Sequence, residues 1–124
     1  MGKHIILVAF GGAVGSVLRF LTSMLTAKYF SGSFPLATFI ANIAGCFLIG
    51  IFSGLFMKTD PTNIQMRLLL ITGFCGGYTT FSTFSAENLA LINNNNAGLA
   101  LINIFASVIA GLTAVWLGLA ITKI

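Results

Sequence analysis

The sequence predicts an all-α integral membrane protein: one domain over residues 1–124, built of four transmembrane helices with the third broken inside the bilayer. Two observations carry this. Hydrophobic residues make up 57% of the chain and charged residues only 6%, with a mean hydropathy of +1.03, whereas a soluble surface wants about a quarter of its residues charged. The charges are also spaced to leave room for membrane crossings. Lys28 to Lys58 encloses 29 uncharged residues, Arg67 to Glu87 encloses 19, and Glu87 to Lys123 encloses 35, against the roughly 20 that cross a bilayer as a helix. A β-barrel is excluded, because its strands alternate in polarity and these runs do not. The expected helices cover 4–27, 34–57, 65–92 and 97–122.

Helix 1 follows Gly2-Lys3-His4, and its apolar stretch continues past Arg19 to Ala27 without a small-x-small cleavage site. It reads as a retained span rather than a removed leader. Gly11 and Gly15 form a GxxxG within it. The connection from Lys28 to Ser33 leads to Phe34-Pro35, and proline suits the first turn of helix 2. Ala41 with Gly45 and Gly50 with Gly54 line that helix. Lys58-Thr59-Asp60-Pro61-Thr62-Asn63 is a turn sequence. After helix 3, Asn93–Asn96 makes an uncharged polar connection. Ala106, Ala110, Ala114 and Gly118 recur every four residues in helix 4. Such small-residue stripes let helices approach closely where lipid gives no hydrophobic drive to associate. A bundle held that tightly leaves no central pore, so transport requires a second subunit.

Six Lys and Arg against two Asp and Glu give a net charge of +4. The basic residues are scattered, which suits interfacial charges bracketing the spans and not a nucleic-acid surface. Cys46 and Cys75 lie in apolar stretches with no CxxC, and they read as small buried hydrophobes. Enzymatic chemistry has little support: His4 is terminal, no Asp lies in a span, and no nucleophile–base or metal-ligand spacing occurs.

Polar residues inside the spans carry more information. A helix-centre arginine costs about 2.5–3.5 kcal/mol on insertion scales, so Arg19 either snorkels to an interface or builds an electropositive vestibule that draws anions. Asn42 serves as interhelical glue or as a donor facing a pore. Asn103 and Ser107, four residues apart, read as packing contacts. Glu87 is the one acidic residue within a span. It either reaches the Asn93–Asn96 interface or couples transport to protons.

The densest signal runs from Thr72 to Ser85. Gly73, Gly76 and Gly77 argue for a helix break near Gly73–Thr80. Broken backbone at membrane depth is tolerated only against protein or a water-filled cavity, and freed carbonyls there can coordinate a cation. Beyond the break, Phe81 and Phe84 share one helical face, with Thr79, Thr80, Ser82, Thr83 and Ser85 around them. Hydroxyls solvate an anion as donors, and phenyl edges do so more weakly because they are the positive part of the ring quadrupole. Conduction requires attraction that offsets dehydration without trapping the ion. A polar track without fixed acid therefore suits a small anion, with fluoride and chloride not distinguished at this level.

Gly11–Phe20, Pro35–Gly45 and, most specifically, the run Gly73-Phe74-Cys75-Gly76-Gly77-Tyr78-Thr79-Thr80-Phe81-Ser82-Thr83-Phe84-Ser85-Ala86-Glu87 together resemble the bacterial fluoride channel family, called Fluc or CrcB. The resemblance spans essentially the whole chain. It implies a homodimer of two oppositely oriented (antiparallel, dual-topology) subunits in the bacterial inner membrane, each subunit multi-pass, with two fluoride pores. It further implies passive export of fluoride that enters as the neutral acid. Carried onto this chain, Phe81 and Phe84 would contact fluoride edge-on and Asn42 would be a pore-lining donor. Ser82, Thr83 and Thr80 would belong to the polar track, and Arg19 would stand toward the aqueous vestibule. A structural sodium ion at the dimer axis would be held by backbone carbonyls of Gly76 and Thr79 from both subunits.

Helix ends alternating sides put Lys3, Lys58, Arg67 and Lys123 on one side and Lys28 on the other. Alone, that asymmetry favours a single orientation, while the resemblance implies both. Two other function classes compete. A small proton-coupled exporter of cations needs a carboxylate deep in the bundle, and Glu87 lies toward a helix end. A non-transporting scaffold would have no use for so many intramembrane hydroxyls.

Overall fold

The computed structural model describes residues 1–123. Helix α1 spans Gly2–Tyr29 and α2 spans Leu36–Thr59. A composite rod follows: α3, Ile64–Arg67, runs into a π-helical segment, Leu68–Cys75, and then into a last turn, α4, Gly76–Tyr78. After a break, α5 covers Phe81–Asn93, and α6 covers Ala97–Thr122. Helices α1, α2 and α6 are each long and apolar enough to cross a membrane. The remaining rod of this all-α bundle is the bent one.

Local chemistry sets the helix ends. Pro35 sits at the N-cap of α2 and not in its first turn (φ −76°, ψ 71°), so regular helix begins only at Leu36. The Asn63 side chain accepts from the Met66 amide at 3.1 Å and opens α3, an N-cap of the ordinary kind. Between α5 and α6 the chain turns on Asn95 at φ 63°. Asparagine tolerates that left-handed conformation better than other side chains, and the Asn96 amide closes the turn onto the Leu91 carbonyl at 2.7 Å.

The small-residue stripes do two jobs. Gly11 and Gly15 are buried against the composite rod: a Cβ on Gly11 would collide with the Leu69 carbonyl, and one on Gly15 with the Phe74 carbonyl. The rod answers with glycines of its own. A Cβ on Gly77 would come within 2.5 Å of the Gly12 carbonyl, and one on Gly73 within 2.9 Å of that of Val8. The most extensive pairing joins α2 to α6, where Gly50 faces Val115 and Gly118, and Gly54 meets the Thr122 hydroxyl. In α6 the buried small residues are Ala100, Gly111, Ala114 and Gly118. Ala106 and Ala110 are half-buried instead, along a hollow shared with Phe39, Ile43 and Phe47.

The break corrects one step of the sequence argument. Gly73, Gly76 and Gly77 stay in helical backbone, and no glycine among the described residues has a positive φ. The missing side chains of Gly73 and Gly77 are used for close approach to α1. The interruption falls two residues later, at Thr79 (φ −87°, ψ 159°) and Thr80 (φ −153°, ψ 119°), both extended.

Candidate functional site

An uninterrupted α-helix would send the Thr80 amide to the Gly76 carbonyl and the Thr83 amide to that of Thr79. Both amides go elsewhere. Thr80 N–H donates to Asn42 Oδ1 at 2.8 Å, and Thr83 N–H donates to the Thr80 hydroxyl at 3.2 Å, which caps α5. Asn42 Nδ2 donates in return to the Thr80 carbonyl at 3.2 Å. Arg19 Nε donates to the Gly77 carbonyl at 3.2 Å, placing a guanidinium at the C-terminal end of the composite rod, where the helix dipole favours a cation. The carbonyls of Gly76 and Thr79 are thus released from their helical partners. The Thr79 hydroxyl turns back to the Cys75 carbonyl at 2.8 Å.

Immediately beyond the break lies a hollow of about 240 Å³ lined by Asn42, Ile43, Cys46, Thr80, Phe81, Phe84, Ser107 and Val108. The Phe81 and Phe84 rings stand 5.9 Å apart at a 39° tilt. Phe84 is half-buried, while Phe81 is 79% exposed on the single chain. The fold therefore brings together four residues singled out from sequence: Asn42, Thr80, Phe81 and Phe84. Ser82 and Thr83 do not line this hollow; Ser82 lies 3.4 Å from the Thr80 hydroxyl and is exposed. Arg19 lies on the rod side of the break and not at the hollow.

Two further residues belong here: Ser107, read from sequence only as a packing contact, and Asn88, which the sequence reading did not single out. Ser107 lines the hollow, and Asn88 is buried behind it at 5% exposure, paired with Asn103. Phe81, Phe84 and Asn88 follow the i, i+3, i+7 spacing of one helical face, which was the available signal for Asn88. Glu87 is half-buried, and its Oε1 has no hydrogen-bond partner.

Residues 6–119 match the family described as CrcB-like protein, Camphor Resistance (CrcB). The chain belongs to the CrcB family. It is 50% identical over 121 residues to the "Fluoride-specific ion channel FluC" of Flavobacterium psychrophilum, covering 98% of each chain. The protein of the same name from Azobacteroides pseudotrichonymphae is 45% identical over 123 residues, covering 99% of this chain and 98% of its own. That of Methylobacillus flagellatus is 44% identical over 121 residues, covering 97% and 94%. The matched span, residues 6–119, contains the broken rod and the hollow.

Proposed function

We propose that this chain is the subunit of a fluoride-selective channel, multi-pass in the bacterial inner membrane, that lets fluoride leave the cytoplasm passively. It is a channel and not an enzyme. Full-length similarity to proteins named fluoride-specific ion channels supports this reading. The structural observation that carries it is the rod interrupted at Thr79–Thr80 and clamped by Asn42 beside the Phe81–Phe84 pair.

The chemistry suits an anion that is expensive to dehydrate. An asparagine amide has two N–H groups; Asn42 uses one on Thr80 and keeps one for the hollow. The ring edges of Phe81 and Phe84 add weak positive potential. Ser82, Thr83 and the Thr80 hydroxyl extend the polar track along α5, and Arg19 stands toward the vestibule. Among the described residues, no carboxylate side chain lines the hollow. Attraction stays moderate, as throughput requires.

The working unit is a homodimer of antiparallel subunits with two pores. One chain leaves Phe81 open and presents extended backbone at membrane depth, a state tolerated only against protein or a water-filled cavity. A second copy over the break closes both. The carbonyls of Gly76 and Thr79, diverted from helical partners, are oxygen donors of the kind that hold sodium in broken transporter helices. They fit a structural sodium ion at the dimer axis, whose positive charge would balance the converging carbonyl dipoles.

Fluoride and chloride efflux from proteoliposomes containing the protein tests the proposal. Fluoride flux far above chloride flux, independent of any proton gradient, is expected; comparable chloride flux would defeat selectivity. The unpartnered Glu87 Oε1 favours one second reading, a proton-coupled exporter. Transport driven by a pH gradient and abolished by Glu87→Gln would establish that reading instead.

A further inference from the structure

Behind the hollow, a buried polar chain connects α5 to α6. Asn103 is 1% exposed and Asn88 5%. Asn103 Nδ2 donates to Asn88 Oδ1 at 2.9 Å, and the Ser107 hydroxyl donates to Asn103 Oδ1 at 3.1 Å. Burying two amides where leucines would pack is costly unless every group is used, and helix pairing alone would be served by the amides without Ser107. The chain ends on the one hydroxyl that α6 contributes to the hollow.

A serine hydroxyl has a single proton. With that proton given to Asn103, Ser107 turns oxygen lone pairs toward the hollow, the wrong polarity for an anion. Turning both amides over corrects this. Asn88 then donates to Asn103 Oδ1, Asn103 Nδ2 donates to the Ser107 oxygen, and the serine proton is released to point into the hollow. Two hydrogen bonds exist before and two after, and amide oxygen and nitrogen are nearly equal in size, so nothing repacks. We infer that Asn88 and Asn103 are positioning residues, a reversible amide relay that sets the direction of the Ser107 proton and makes Ser107 a donor to the anion beside Phe84. The relay rests on the fluoride-channel reading.

A double-mutant cycle on the reconstituted full chain tests it, with Ser107→Ala, Asn103→Leu, their combination, and Ser107→Thr read by fluoride efflux. Ser107→Ala and Asn103→Leu are each expected to slow efflux about tenfold. The double variant should be no slower than Ser107→Ala alone, and Ser107→Thr, which keeps the hydroxyl, should stay near the parent rate. Multiplying effects in the double variant, or unchanged efflux in Ser107→Ala, would overturn the relay. Should Asn103→Leu fail to fold, Asn88→Leu combined with Ser107→Ala supplies the same cycle one residue further from the hollow. The parent protein keeps the two ideas apart: if it passes chloride as fast as fluoride, the channel reading fails; if it is selective and the cycle is additive, only the relay fails.

Discussion

Asn42 on α2 supplies, from one side chain, both hydrogen bonds that the extended backbone of Thr80 has lost: its oxygen takes the amide at 2.8 Å and its nitrogen reaches the carbonyl at 3.2 Å. The broken rod is thus held open from a neighbouring helix. Asn42→Ala leaves both groups orphaned at about 1–3 kcal/mol each. A lowered unfolding midpoint in detergent and a loss of fluoride efflux are expected together. An unchanged midpoint would mean that the break holds itself.

The glycine contacts between α1 and the composite rod give a second prediction. Gly15→Ala drives a methyl group into the Phe74 carbonyl. Backbone cannot yield as a side chain can, so overpacking of about 1–3 kcal/mol is expected. The same displacement would draw Arg19, four residues on, away from Gly77 and reduce flux. Gly98→Ala is the control, because nothing lies within 4 Å of the added atom; thermal unfolding should place it at or slightly above the parent.

Phe81→Ile and Phe84→Ile keep bulk and apolarity but remove the polarised ring edge. Each should reduce fluoride throughput about tenfold, equivalent to about 1.4 kcal/mol on the barrier, with little change in unfolding midpoint. Single-channel or efflux recordings showing parental flux in both variants would remove the rings from the pore.

Exchanging sodium for a bulky organic cation on both sides of the membrane should lower the unfolding midpoint and fluoride flux together. The proposed site would be built of the backbone carbonyls of Gly76 and Thr79, and restoration by added sodium should be saturable. Indifference to sodium in both measurements would leave the Gly76 and Thr79 carbonyls without an ion.

Orientation is open to a direct measurement. A single cysteine placed in the Asn93–Asn96 connection, in a background lacking Cys46 and Cys75, should react with an impermeant reagent in about half of the subunits of intact cells if insertion is dual. Complete or absent labelling would mean that the four-to-one bias of Lys and Arg dictates a single topology.

Most of the architecture was legible because lipid imposes a simple rule: long stretches without charge become helices, and glycines mark where helices touch. Finer detail was hidden where one residue type has two uses. The glycines at 73, 76 and 77 look like breakers on conformational grounds, yet all three are helical, and at 73 and 77 α1 comes too close for any Cβ. The break itself depends on Asn42, distant in sequence, which no local rule reports. Asn103 and Ser107 were legible as packing contacts, and Asn103 does bond Asn88 between α5 and α6, but spacing does not report that Ser107 also lines the hollow. The Arg19 bond to Gly77 joins residues 58 positions apart, and only the folded bundle brings them together.

The π-helical turns at Leu68–Cys75 divide the rod into a stretch that tolerates a change of length and a short one that does not. Wider turns of this kind absorb a surplus residue, so a residue lost there leaves the downstream register in place as the segment tightens to α-helix. One lost from the regular turn Gly76–Tyr78 instead rotates everything beyond it by about 100°. Thr80 would then face away from α2, although composition, hydropathy and helix length would hardly change. A one-residue deletion within Gly76–Tyr78 should therefore be far more damaging than one within Leu68–Cys75.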